Sequence, residues 1–251
     1  MKLIQAKNYE DMSEKAAAYI IKQVHSKSNS VLGLATGGTV IGTYNRLVED
    51  YKQSNTSYSN VHTFNLDEYV AMPRSDQNSY HTYMDKQLFR HINLPEDQSF
   101  LPDGMANDLQ EECQRYERLI KDSGGIDLQL LGIGQNGHIG FNEPGASFDS
   151  VTHIVNLTES TRKANARYFE SIDKVPTQAI TMGIATIMKS KKILLLVSGE
   201  SKAEAISRLI NEPIHNNNPS SVLKNHPDVT IIADEDALSL IKREQKEVLS
   251  L

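Results

Sequence analysis

Five short runs punctuate the chain: Val31 to Ala35, Val61 to Leu66, Leu128 to Ile133, Lys192 to Val197 and Val229 to Ala233. They are rich in aliphatic residues and bounded by glycine or polar residues, which predicts buried strands rather than helices. Helical patterns lie between them. Met12, Ala16, Ile20 and Val24 recur every four residues behind an Asn8 cap that Asp11 reaches back toward, so an amphipathic helix is predicted to about Lys27. Further helices are predicted over Ile41 to Tyr51, Tyr80 to His91, Leu109 to Lys121 (closed by Gly124-Gly125), Ser160 to Glu170 (capped by Thr158 or Ser160), Lys202 to Ile210, and from Asp236 onward. Ala179 to Met182 predicts a short strand, and the Asn- and Pro-rich Asn211 to Ser221 a loop. Strands alternating with helices throughout predict an α/β fold: one open, mainly parallel sheet with helices on both faces. No repeat, low-complexity tract or linker divides residues 1–251, so a single domain is expected.

Parallel strands place their carboxyl ends on one edge of a sheet, where ligands bind. Four polar clusters follow four predicted strands: Thr36-Gly37-Gly38-Thr39, Asp67-Glu68, Asn136 to Glu143, and Ser198 to Lys202. The third is the richest. Gly132, Gly134, Gly137 and Gly140 let the backbone turn and approach a ligand, while Asn136, His138 and Glu143 bring groups that orient or exchange protons. Taken alone, the Thr36 to Thr39 turn reads equally as a phosphate cradle at a helix start or as a tight strand-to-helix connection. Asp67 reads equally as a general base at a strand end or as a cap. Lys202 alone reads as a solvated side chain, although a cation is not favoured at a helix N-terminus. Arg162 and Arg167 point roughly 140° apart on a helix, so they cannot serve one ligand in the same way.

The net charge of −6 argues against a nucleic-acid or anionic-membrane surface, so an anionic substrate needs a local cluster of cations. The single cysteine, Cys113, permits no internal disulfide, the N-terminus has no apolar run of signal-peptide length, and the longest aliphatic run is Ile193 to Val197. A cytoplasmic protein is expected. The scattered histidines show no metal-ligand spacing, and neither a Gly-x-Ser-x-Gly elbow nor a Walker A loop is present, so no metal is expected. Gly132, Gly134 and Gly137 match the dinucleotide spacing, but the run His138-Ile-Gly-Phe141 after them does not read as a helix start.

The segments Leu34-Ala-Thr-Gly-Gly-Thr39, Phe64-Asn-Leu-Asp-Glu-Tyr69, Gly134-Gln-Asn-Gly-His-Ile-Gly-Phe-Asn-Glu-Pro144 and Ser198-Gly-Glu-Ser-Lys202 together resemble the glucosamine-6-phosphate deaminase family, in order and across most of the chain. The resemblance implies a modified dinucleotide-binding topology. It implies conversion of glucosamine 6-phosphate and water to fructose 6-phosphate and ammonia in amino-sugar catabolism, without an organic cofactor. It implies that His138, tuned by Asn136 and Glu143, opens the sugar ring and that Asp67 moves the C2 proton to C1. Thr36, Gly37, Gly38, Thr39, Arg167 and Lys202 would hold the phosphate, with Arg167 chosen by its place in the family's Thr-Arg-x-Ala-Asn-x-Arg pattern. Residues 158–176 would form a mobile lid. Many members carry Asp where this chain has Asn136; the Asn carbonyl is expected to accept a ring N–H and orient His138. Some members are activated by N-acetylglucosamine 6-phosphate near the segment 145–156, but here that segment contains no Lys or Arg and His153 is its only cation candidate. No effector activation is therefore expected, and a monomer or homodimer suffices. Two rivals share the implied fold: a 6-phosphogluconolactonase, which needs no base at C2, and a non-enzymatic sugar-phosphate sensor.

Overall fold

The structure is a computed structural model describing residues 1–54 and 56–242. In chain order the elements are β1 (Lys2–Ala6), α1 (Tyr9–Ser26), β2 (Val31–Leu34), α2 (Ile41–Ser54), β3 (His62–Asn65), β4 (Asp67–Tyr69), α3 (Tyr80–Gln87), β5 (Ser99–Phe100), α4 (Leu109–Asp122), β6 (Leu128–Gly132), β7 (His153–Asn156), α5 (Glu159–Asn165), β8 (Gln178–Thr181), α6 (Ile184–Met188), β9 (Ile193–Val197), α7 (Ala203–Asn211) and β10 (Val229–Asp234).

Seven strands form one sheet in the order β1-β10-β9-β6-β2-β3-β5. Every pairing in it is parallel. All residues of β9 and β10 are buried, so both sheet faces are covered, as continuous apolar strands require. From β2 the chain runs outward through β3 and β5, then returns to β6 on the other side of β2 and continues outward through β9 and β10. The order therefore reverses between β2 and β6, and a crevice opens there at the carboxyl edge.

The first helix behaves as its spacing dictates. Met12, Ala16, Ile20 and Val24 are all buried, the Asn8 side chain accepts from the Asp11 N–H, and Asp11 accepts the Lys7 N–H at 2.8 Å. Several expectations change. The helix expected over Tyr80 to His91 ends at Gln87, with a 3-10 turn over Phe89–His91. The one expected over Ser160 to Glu170 is a single α-helix of seven residues capped by Thr158, then a 3-10 turn at Ala166–Tyr168. Part of the expected loop is a 3-10 helix, Pro219–Asn225. Residues 235–240 form turns and 241–242 are also non-helical, so the expected helix start is absent there; the rest of the expected C-terminal helix falls outside the described residues.

A second, antiparallel sheet of order β4-β8-β7 sits at the carboxyl edge of the first. It exists because the chain leaves the main sheet after β3. The Leu66 N–H still bonds the Leu34 carbonyl, but Asp67 already lies opposite Thr181 on β8. An aromatic cluster of Tyr69, Phe141, Tyr80 and Phe169 fills the space beneath it.

Candidate active site

Four loops meet at the crevice. After β2, Gly37 takes a φ of 97°, a left-handed conformation suited to glycine, and turns the chain into the Gly38–Val40 turn that starts α2. The Tyr83 hydroxyl donates to the Gly37 carbonyl at 2.7 Å, and the Tyr9 hydroxyl to that of Gly38 at 3.0 Å. These two bonds fix the carbonyl side of the Thr36 to Thr39 loop where it opens α2. The loop after β9 also turns on a left-handed glycine, Gly199, with a φ of 86°. The Gly199 N–H donates to the Asp234 carboxylate at 3.0 Å, and a short turn leads through Lys202 into α7. Lys202 is half-buried, and its ammonium is held below its ordinary pKa by burial and then by the Arg167 guanidinium. The two cations are thus near enough for one to act on the charge of the other. Arg162 is elsewhere: its guanidinium donates to the carbonyls of Ile172 and Val175 at 2.9 and 3.1 Å, stitching its own segment together. Tyr168 brings that segment over the phosphate-loop candidate, its hydroxyl 3.8 Å from where a Gly38 Cβ would stand.

After β6 the chain makes a tight turn, with the Gly134 N–H bonding the His138 carbonyl at 2.9 Å. A Cβ on Gly134 would stand 2.3 Å from the His138 ring, so the glycine is what lets the imidazole lie against the backbone. The turn is tied to β8: the Phe141 N–H donates to the Thr181 hydroxyl at 3.1 Å, and the Asn142 amide to the Met182 carbonyl at 2.9 Å. Because Thr181 also faces Asp67 across β4 and β8, these ties bring the His138 turn and Asp67 together.

Glu143 is the hub of this turn. Oε2 accepts the Asn136 amide at 2.7 Å and lies 3.4 Å from Nδ1 of His138, close enough for an ion pair but without an aligned hydrogen bond. Oε1 accepts the hydroxyls of Thr158, at 3.2 Å, and Thr161. Burial raises the carboxyl's pKa, but the His138 ring and the hydrogen bonds from Thr161 and Asn136 outweigh it and bring it to about 2. The expectation for Asn136 is corrected. Its carbonyl accepts the His138 backbone N–H at 3.2 Å, not a ring N–H. Its amide must face Glu143, and an Asp there would put two carboxylates in contact. Asn136 thus orients His138 through Glu143 and the backbone.

Asp67 and Glu68 point to opposite fates, as alternating strand positions do. Glu68 accepts the N–H groups of Tyr80 and His81 at 3.1 and 3.0 Å and the His81 ring at 2.9 Å, so it caps α3 and is spent as a structural group. No donor among the described residues hydrogen-bonds the Asp67 carboxyl. Burial, and then the Glu68 charge, push it up to about 8. A cavity of 610 Å³ lies on the far side of α3, but its arginines Arg74 and Arg90 are already paired with Glu96 and Asp85. Among the described residues no group of three or more His, Cys, Asp or Glu could hold a metal ion.

Residues 6–232 match the family described as glucosamine-6-phosphate isomerases/6-phosphogluconolactonase. The chain belongs to that family. Within it, the glucosamine-6-phosphate deaminase of Geobacillus sp. (strain WCH70) is 59% identical over 248 residues, covering 99% of each chain. That of Thermoanaerobacter pseudethanolicus is 53% identical, covering 99% of this chain and 98% of its own. The solved structure of a monomeric glucosamine-6-phosphate deaminase superposes with a TM-score of 0.94 at 52% identity, over 96% of this chain and 100% of that one. The 6-phosphogluconolactonase of Trypanosoma brucei, at 18% identity and a TM-score of 0.74 over 96% and 98%, shares the fold.

Four contributors to this family member's crevice carry no signal in the sequence that singles them out. Asp234, which holds Gly199, is visible only as the polar end of an apolar strand. The tyrosines that pin the Gly37 and Gly38 carbonyls come from α1 and α3 and carry no local signal. Thr161 appears only as a letter in the family pattern, with nothing to show that it reaches Glu143.

Proposed function

We propose that the chain is a glucosamine-6-phosphate deaminase, converting glucosamine 6-phosphate and water to fructose 6-phosphate and ammonia in the cytoplasm as part of amino-sugar catabolism. The observation that carries this reading is near full-length identity of 59% to a deaminase, against 17–19% for structures of 6-phosphogluconolactonases. The site agrees with it chemically. Lactone hydrolysis requires no base beside a sugar C2, whereas Asp67 presents, next to the His138 turn, a carboxyl that no donor among the described residues hydrogen-bonds. The described residues hold no helix long and apolar enough to cross a membrane.

In the proposed mechanism the phosphate rests on the Thr36 to Thr39 loop between Arg167 and Lys202. This meets a dianion with backbone donors and with two cations that otherwise repel. His138 carries the proton between O1 and the ring oxygen, and Glu143 stabilises the imidazolium formed on the way. Asp67 takes the C2 proton of the open chain, giving an enolamine, and returns it to C1, giving a ketimine. Water adds at C2 and ammonia leaves. Each step moves protons or water, so no organic cofactor is needed. Residues 158–176 act as the lid, which keeps bulk water from the enolamine. A coupled assay for fructose 6-phosphate and ammonia tests the reaction; lactone hydrolysis without ammonia release would transfer the chain to the lactonase branch.

The Asp67 carboxyl fixes the pH dependence. A base with a pKa of about 8 in the free enzyme is mostly protonated at pH 7. The substrate's C2 ammonium, arriving beside it, favours the carboxylate and lowers that value. The acid limb of kcat/KM is therefore expected near pH 8, and that of kcat at lower pH. Coincident limbs well below pH 7 would mean that another group is the base.

Regulation is expected to be absent. The segment 145–156 becomes β7 and its approach, and the ring of its one histidine, His153, is turned onto the Val151 carbonyl at 2.7 Å. A doubly charged effector finds no fixed cation there, and without differential binding it cannot shift an equilibrium. Substrate titrations are expected to be hyperbolic with or without millimolar N-acetylglucosamine 6-phosphate. We propose a monomer or homodimer. A sigmoidal curve that the effector straightens would point to cations supplied by another segment or subunit.

A further inference from the structure

We propose that Thr161 is a positioning residue for ring opening: its hydroxyl sets the orientation of the Glu143 carboxylate toward His138, which makes the lid a working part of the proton relay as well as a cover. The inference rests on the assignment of Glu143 and His138 to ring opening. Thr161 is only 5% exposed, and its hydroxyl is committed to Oε1 of Glu143. Thr158, the cap of the same helix, donates to the same oxygen at 3.2 Å. The other oxygen is held by Asn136 at 2.7 Å and faces His138. A carboxylate gripped at both ends cannot turn about its terminal bond, so the oxygen presented to the imidazole is chosen by the donors on the opposite side.

Those opposite donors belong to α5, whose segment is held down at its far end by Phe169, 5.8 Å from Tyr69 in an edge-to-face contact. Arg162 ties the same helix to the carbonyls of Ile172 and Val175, so the segment moves as one piece. When it lifts, both hydroxyls leave Glu143 together. The carboxylate then keeps the Asn136 amide and the His138 ring on one oxygen, gains freedom to rotate, and loses donors that favour its charged form. Closing the lid over bound sugar and arming the ring-opening pair are then the same event. A premature proton transfer with the crevice open to water is disfavoured.

The test compares wild type with Thr161→Val, Thr161→Ser, Glu143→Gln and the Thr161→Val/Glu143→Gln double variant, using kcat/KM for glucosamine 6-phosphate. Binding of 2-amino-2-deoxyglucitol 6-phosphate, which has no ring to open, is measured alongside. Thr161→Val is expected to lower kcat/KM roughly tenfold, the scale of one hydrogen bond to a charged group. The affinity for the acyclic analogue should stay within about twofold, because phosphate and amine contacts are intact. Thr161→Ser keeps the hydroxyl and should recover most of the loss. In the Glu143→Gln background Thr161→Val should cost little more, since the two act as a unit. An equal cost in both backgrounds, or a Ser variant as impaired as Val, would show that Thr161 merely anchors the helix and would overturn the proposal. If Thr161→Val does not fold, Thr161→Ala repeats the comparison without the added methyl. Glu143→Gln with wild-type activity would overturn the Glu143 assignment itself, a result read independently of any Thr161 variant.

Discussion

Asp67→Asn is expected to lower turnover by at least ~10²-fold, with loss of solvent-deuterium exchange at C2 and little change in the binding of substrate analogues. The replacement is nearly isosteric, so the geometry opposite Thr181 survives and only the base is lost. The structure adds a second, opposite expectation for stability. The Asp67 carboxyl is raised from its ordinary value to about 8 in the folded chain. Between its unfolded pKa and about 8 the folded state therefore holds a proton that the unfolded state has released, and stability falls as pH rises through that window. The neutral Asn escapes this penalty. The variant should melt at a higher temperature than wild type at pH 8, with the gap closing toward pH 4. Glu68 offers no substitute base, because its oxygens are occupied by the start of α3 and the His81 ring. Near-normal C2 exchange in Asp67→Asn would remove Asp67 from the mechanism, and an unchanged melting temperature at pH 8 would remove the premise that its charge is strained.

Lys202→Ala is expected to raise KM for the phosphorylated substrate roughly 10- to 150-fold, corresponding to about 1.5–3 kcal/mol for a lost charge-assisted contact. Stability should change little or improve. Burial and the Arg167 guanidinium both work against the Lys202 charge when no anion lies between them, so the folded chain gives up little when it is removed. The variant should also lose most of its preference for phosphorylated over free sugar analogues. Inorganic phosphate as a competitive inhibitor gives the decisive measurement: equal inhibition of variant and wild type would show that Lys202 does not touch the phosphate.

Much of the fold and of the crevice is legible in the sequence because it is carried by local signals. Buried parallel strands announce themselves as short aliphatic runs, and Lys192 to Val197 became β9 almost residue for residue. The rule that ligands gather at parallel strand ends then draws the four polar clusters together without any knowledge of strand order. The features that stay hidden depend on tertiary partners. The three residues Asp67–Tyr69 and the two of β5 are too short to show a period, and they are strands only because β8 and β3 lie beside them. The helix expected over Ser160 to Glu170 stops early, although its sequence would allow it to continue. Phe169 is drawn into the aromatic cluster and the Arg162 ties fold the following residues back. The Asn136 contact escapes for a related reason. A sequence shows that a carbonyl and an imidazole are two residues apart, but not that Glu143 and a backbone N–H will claim both ends of the amide first.

The pairing of β1 with β10 bears on how the chain reaches this state. Lys2 lies opposite Thr230, so residues 7–228 separate two neighbouring strands. During synthesis β1 precedes every other strand of this sheet, yet the strand that it pairs with, β10, follows all of them. Until then β9 is also without one of its neighbours, and two rows of backbone donors and acceptors wait in water. Loops of that length close slowly, and strands that wait are exposed to wrong partners. The main sheet is thus completed only once β10 has been made, and a chain interrupted before β10 has lost the strand that joins β1 to the centre of the sheet.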